Sequence, residues 1–210
     1  KMFRFKFLFS VTFLIILTSC SKSKNIEIIF EDNFMYKAQK ELIFELKLLN
    51  TKKDIKSILL NQDWIEDFKI NFRINGNIRI IINTKIPIFI WNEKYYIDKN
   101  METFNFDKTN NQLIKVFCPS NQLNDAMNLI DFINTKIKSE QNKFTKLDFK
   151  YSSGWILVSE NNTEIKFGKV ISKDRLNSFK QSLNYVYESN SIPSMIDLRY
   201  KDGVALNYGK

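Results

Sequence analysis

Apolar and polar positions change period several times along this chain, and each change marks an element. Asn25–Phe30 (NIEIIF) alternates and predicts a short first strand. Leu42, Phe44, Leu46 and Leu49 follow at a spacing that fits a helix loosely, ending near Asn50. Thr51 is placed to cap a second helix, with Ile55, Ile58 and Leu59 on one face. Phe68, Ile70, Phe72 and Ile74 then alternate with Lys69, Asn71 and Arg73, and Ile78, Ile80 and Ile82 form a returning arm. Between the arms stands Asn75-Gly76, the pair favoured in a two-residue type I′ turn, where both central residues need positive φ. These readings assemble a β-α-α-β-β unit over about residues 25–86.

The second half opens with another hairpin, IPIFIWNEKYYID, turning at Asn92-Glu93. Leu113–Phe117 reads as a strand stopped by Cys118-Pro119, and Ser120 as the cap of a helix carrying Leu123, Met127, Ile130, Ile133 and Ile137. Strands are predicted at Lys143–Tyr151, Trp155–Glu160 and Glu164–Gly168. A last helix starts at Ser172, with Ile171 and Leu176 at the positions of a hydrophobic staple and Leu176, Phe179, Leu183 and Val186 as its buried stripe. The chain closes on SIPSMIDLRYKDGVALNYGK, read as a strand, a tight turn and a second strand. A final strand with nothing after it suits a sheet edge, where unpaired N–H and C=O groups invite another strand. The expected fold class is α+β: an N-terminal membrane segment (1–21), the small unit (25–91), and a second α+β domain (92–210) with an antiparallel sheet ending in an edge strand.

Ahead of the first strand, Lys1, Arg4 and Lys6 precede an uncharged run from Phe7 to Ser21. Phe7, Leu8, Phe9, Phe13, Leu14, Ile15, Ile16 and Leu17 supply its apolar membrane-facing positions. A basic stretch followed by an apolar one directs the rest of a chain out of the cytoplasm. Fifteen uncharged residues fall short of the roughly 20 that cross a bilayer as a helix, although flanking Lys and Arg side chains can snorkel. Leu17–Cys20 (LTSC) also resembles the lipobox, in which Cys20 would carry a lipid. A spanning anchor and a lipidated Cys20 therefore both stand.

Composition adds mostly exclusions. The net charge of +9 is spread along the chain without a dense basic block, which suits a surface beside anionic lipid and argues against nucleic acid. Cys20 and Cys118 imply no disulfide framework, and the chain has no histidine, which removes the commonest general base and metal ligand. No Gly-rich phosphate loop or metal-ligand spacing is present. Asp63, Glu66 and Asp67 read as solvated residues beside the hairpin, and Trp91, Tyr95 and Tyr96 as its half-buried aromatics. No catalytic residue, cofactor, metal or small-molecule substrate is expected.

Several stretches resemble the FtsQ/DivIB family of cell-division proteins. Trp64-Ile65 stands where that family has a Trp-Val-like pair before a hairpin. Pro87, Phe89 and Trp91 match its following strand, with YIDKNMETF after it; Asn100-Met101 stands where the family has glycine. GWILVSENNTEIKFGK and IDLRYKDGVALNYGK resemble its C-terminal strands, with Asp197, Leu198, Arg199, Tyr200 and Gly203 in register. The resemblance covers about residues 25–210. It implies a POTRA domain followed by a β domain, in a single-pass protein of the bacterial inner membrane with its bulk in the periplasm. It further implies a non-enzymatic divisome scaffold whose last strand binds FtsB and FtsL to control septal peptidoglycan synthesis. Partner contacts are expected at Arg199, Tyr200, Gly203, Val204, Leu206 and Tyr208. The competing reading, built on Cys20, is a periplasmic lipoprotein serving as a POTRA-type assembly or chaperone module.

Overall fold

A computed structural model describes residues 25–31, 35–49, 51–74, 76–110, 112–137 and 143–209. The fold is α+β. Strand β1 (Ile26–Phe30), helices α1 (Ala38–Leu48) and α2 (Lys52–Leu60), and strands β2 (Ile65–Phe72) and β3 (Ile78–Thr84) form a three-stranded sheet ordered β1-β3-β2 with two helices. Strand β3 is central because both neighbours need its edges, and Ile78, Ile80 and Ile82 are at most 1% exposed. Helix α2 begins where Thr51 accepts the Asp54 N–H at 3.2 Å.

The β2–β3 turn differs from the two-residue form expected. Phe72 pairs with Ile78, Ile70 with Ile80 and Phe68 with Ile82. Gly76 N–H donates to Arg73 O, Arg73 N–H donates to Asn77 O, and Gly76 has φ of +84°. The connection is therefore three residues long, 74–76. Register parity is the reason: a two-residue turn at Asn75-Gly76 would set Phe72 opposite Arg79, Ile70 opposite Ile81 and Phe68 opposite Asn83, taking Ile78, Ile80 and Ile82 off the face that the β2 stripe shares. Burial of one common face outweighs the local turn signal. The apolar stripe of β2 fades outward, leaving Phe72 47% and Ile74 fully exposed.

The remaining strands are β4 (Pro87–Trp91), β5 (Tyr95–Asp98), β6 (Thr103–Asn105), β7 (Lys115–Phe117), β8 (Phe144–Lys150), β9 (Gly154–Ser159), β10 (Glu164–Gly168), β11 (Met195–Asp197) and β12 (Ala205–Asn207). They build one sheet ordered β12-β11-β10-β9-β8-β7-β4-β5-β6. It is mixed, not antiparallel as expected: β4/β7, β7/β8 and β10/β11 are parallel. Helix α3 (Leu123–Lys136) carries the chain from β7 to β8, and α4 (Lys173–Ser189) from β10 to β11. A helical crossover returns the chain to the starting end of a sheet, so the next strand runs parallel. Strand β6 was not anticipated.

Two local details also change. Ser120 does not cap α3; a 3₁₀ turn over Ser120–Gln122 leads into it. By contrast Ser172 accepts the Arg175 N–H and starts α4 as its sequence indicates. The Asn92-Glu93 turn takes positive φ at both residues, 49° and 54°, with Lys94 N–H donating to Trp91 O. Asn92 then exchanges side-chain bonds with the Cys118 backbone, which fixes this turn onto the end of β7. Met101, one of the two residues that stand where the resembling family has glycine, has φ of +65°.

Strands β4 and β5 are buried on both faces. Phe89 and Ile97 join the core beneath α3 and α4, with Trp155, Leu157, Phe167 and Phe179. Ile90 and Tyr96 face the other way and share a core with Leu46, Ile55, Ile80 and Ile82 of the first unit. Tyr36 is the hub of that junction. Its ring lies 5.1 Å from Trp64, 6.2 Å from Tyr96 and 6.1 Å from Phe104, and its hydroxyl donates to Lys85 O. Burial pushes the Tyr96 hydroxyl up to about 12.

One close approach holds the far half of the sheet. Gly154 has φ of +79°, and a Cβ there would lie 2.0 Å from the Gly168 carbonyl carbon. Gly154→Ala is therefore expected to destabilise the fold by about 3 kcal/mol or more, from backbone collision plus left-handed strain. Thermal unfolding of the full chain checks this, and an unchanged midpoint would contradict it.

Candidate partner-binding edge

The end of the large sheet is built from two short strands. Strand β11 lies parallel to β10, with Ile165 opposite Ile196 in the core. Main-chain bonds extend this pairing on both sides: Glu164 N–H donates to Ser194 O at 3.0 Å and Leu198 N–H to Lys166 O at 2.9 Å. The Thr163 hydroxyl adds a buried bond to Pro193 O at 2.7 Å.

Asp197 closes the strand. Its side chain is 4% exposed, and it accepts from Arg199 three times: backbone N–H at 3.1 Å, Nε at 2.8 Å and Nη2 at 2.5 Å. Donation by the guanidinium holds the Asp197 carboxyl below its ordinary value. The Arg199 stem crosses Gly168, where a Cβ would stand 3.3 Å from its Cγ. The fork thus folds back on its own strand, and the absent side chain at Gly168 gives it room.

Strand β12 pairs antiparallel with β11: Met195 with Asn207, Ile196 with Leu206 and Asp197 with Ala205. The connection is 198–204, seven residues, not the tight turn expected. Among the described residues β12 has no strand on its other side. Its far end is clipped by Asn207, whose backbone oxygen accepts from Ser194 N–H at 2.7 Å and Ser194 hydroxyl at 2.9 Å. The Asn207 side chain accepts the Gly209 N–H at 2.9 Å, an Asx turn.

The six residues expected at the interface thus share one corner but have different surroundings. Val204 and Leu206 are half-buried and pack on their own core. Tyr200 and Tyr208 are exposed, at 62% and 46%, and the space around Gly203 is open. Arg199 is half-exposed and engaged with Asp197. Sequence reasoning passed over Ser194 and Asn207, which orient the strand; the Asn-x-Gly spacing of the Asx turn was the available signal.

Other candidates resolve more simply. Asp63 accepts from Asn105 and so ties the turn before β2 to β6 of the large sheet, and Asp67 accepts from Asn83 across the β2–β3 pair. Tyr96 is buried, and Cys118 is a buried thiol raised to about 11 by burial. Phe7–Leu17 and Cys20 lie outside the described residues. No helix among the described residues is long and apolar enough to cross a membrane.

Residues 89–199 match the family described as Cell division protein FtsQ/DivIB, C-terminal. The matched stretch runs from within β4 to Arg199 and contains the Asp197–Arg199 pair; β12 lies beyond it. The chain is also 20% identical over 147 residues to Cell division protein FtsQ of Neisseria meningitidis serogroup B. That alignment covers 69% of this chain and 62% of the relative.

The corner has a pH signature. Because the folded Asp197 value is depressed, its pairing stabilises the fold above the unfolded carboxyl value of about 3.9 and is lost as pH falls through the folded value. Arg199→Ala should cost roughly 1–2 kcal/mol, discounted for the half-exposed guanidinium, and move acid unfolding to higher pH. Circular dichroism during acid titration measures it; coincident curves for the two proteins would contradict it.

Proposed function

The chain belongs to the FtsQ/DivIB family of cell division proteins, and from that membership, which implies a role in cell division, we propose that it is a non-enzymatic divisome scaffold. In this reading its N-terminus anchors it in the bacterial inner membrane, and the described domains stand in the periplasm. The β-α-α-β-β unit serves as a POTRA domain for recruitment to the division site. The β12 edge accepts a strand of the FtsB–FtsL subcomplex and so passes on control of septal peptidoglycan synthesis.

The observation that carries this reading is the position of β12, paired to β11 on one side and to no strand on the other among the described residues. An added strand would gain main-chain bonds along that side, with side-chain pockets for selection. Magnitudes decide how the affinity is shared. A three-residue strand offers about two to four bonds at ~1 kcal/mol each, against about 8 kcal/mol for micromolar binding. Side chains must supply the remainder. Tyr200 and Tyr208 suit that task, since they are aromatic, flank the strand and are exposed. Val204 and Leu206 act from beneath by holding the strand on its core.

Deleting Gly203–Lys210 is expected to abolish co-purification of FtsB–FtsL while the remainder stays folded. Tyr200→Ala and Tyr208→Ala should each weaken capture by roughly tenfold. Capture by the truncated chain at parental strength would sink the proposal.

A further inference from the structure

At the opposite end of the molecule, the first unit carries an apolar tip ringed by cations. Ile74 is fully exposed, Phe72 is 47% exposed, and Leu48, the last residue of α1, is 65% exposed. Lys52 lies 5.7 Å from the centre of the Phe72 ring, which puts the start of α2 at this same tip. Helix α1 begins at the far pole, beside the Tyr36–Lys85 contact, so its C-terminal Leu48 comes back toward the tip. Exposed Lys53 and Arg73 add to Lys52. Of the nearby carboxylates, Glu27 is held by Arg79 at 2.7 Å and Asp54 accepts the Thr51 hydroxyl at 2.6 Å.

Chain connectivity says what this pole faces. Asn25 O accepts the Ile78 N–H at 3.0 Å, so the point where the chain enters β1 lies directly beside the β2–β3 tip. Ahead of Asn25 the sequence has seven residues before the apolar run ends at Leu17. Seven residues reach at most about 24 Å when fully extended. If Cys20 carries the lipid instead, four residues remain, with a reach of about 14 Å. Either anchor keeps the tip close to the bilayer surface, and the side chains there are of the kind that surface binds: apolar groups for the acyl boundary and cations for anionic headgroups.

We propose that the β2–β3 tip, through Ile74 and Phe72 with Arg73, Lys52, Lys53 and Leu48 around them, docks on the anionic bilayer surface and sets the orientation of the first unit on the membrane. This rests on the membrane anchoring given above. Each cation near an anionic surface favours the docked state by about fivefold, so lipid charge and tip charge both act on the contact.

The test places a tryptophan at the tip of the full chain. Ile74→Trp is reconstituted into vesicles of phosphatidylglycerol and phosphatidylcholine with brominated acyl chains. The three native tryptophans provide the baseline, and Tyr151→Trp, at an exposed position in the β8–β9 turn, is the control. Strong bromine quenching of the added tryptophan at 74 supports the proposal, provided it is absent at 151 and is lost with Arg73→Glu or with phosphatidylcholine alone. A vesicle-bound chain whose added tryptophan is quenched by soluble iodide and not by bromine overturns the tip contact while leaving the anchor intact. Protection of position 74 only upon adding a protein partner overturns it as well. A chain that fails to float with the vesicles overturns the anchor and the tip contact together.

Discussion

Strand β11 is the constraint on which the outer end of this molecule depends. Three residues long, it seats β12 and separates it from the body of the sheet. Parallel pairing to β10, the buried Ile165–Ile196 contact and the Asp197–Arg199 fork hold it in place. The fork needs the bare backbone of Gly168, and Gly168 is itself pressed against Gly154. A short edge strand is normally a weak element, because it has few bonds and one neighbour. Here Val204 and Leu206 are set on the core and Asn207 is clipped to Ser194, so the strand stays extended, with no strand on its other side among the described residues. An ordered strand offered in this way loses less entropy on pairing than a free segment would.

The two sheets divide the molecule by position. Strands β4 and β5 serve both cores, with Phe89 and Ile97 facing one and Ile90 and Tyr96 the other. The first unit therefore packs at the β4–β6 end, while β12 closes the opposite end. Nine strands at about 4.8 Å spacing put roughly 40 Å of sheet between those ends. Under the proposed function, that distance would keep the anchored pole and the partner-binding strand apart, so that each could engage without crowding the other.

Much of the architecture was legible because burial period and capping residues are local. The Thr51 and Ser172 caps, the stripe of Phe179 and Leu183, and the alternation of Ile78, Ile80 and Ile82 all appear where the sequence puts them. The failures lie where a distant partner decides. Asn75-Gly76 carries the type I′ dipeptide, yet the pairing of Phe72 with Ile78 demands an odd loop. The less typical Asn92-Glu93 takes positive φ at both residues, and the Asn92 side chain is held there by the Cys118 backbone. The parallel pairs β7/β8 and β10/β11 follow from the two helices recognised in the sequence, whereas β4/β7 has no helix between its strands and no local signal for its pairing. At the edge, Tyr200 and Tyr208 were named from sequence, whereas the role of Ser194 was not, since a lone serine before a strand has no signature.

The central claim is that β12 is the strand a partner completes. Backbone amide hydrogen exchange across 195–209, with and without the FtsB–FtsL subcomplex, tests it most directly. The account predicts that amides of Ala205–Asn207 become strongly protected on binding while those of β8 and β9 stay as they were. Protection confined to other surfaces, with the exchange of β12 unaltered at saturating partner, would contradict it.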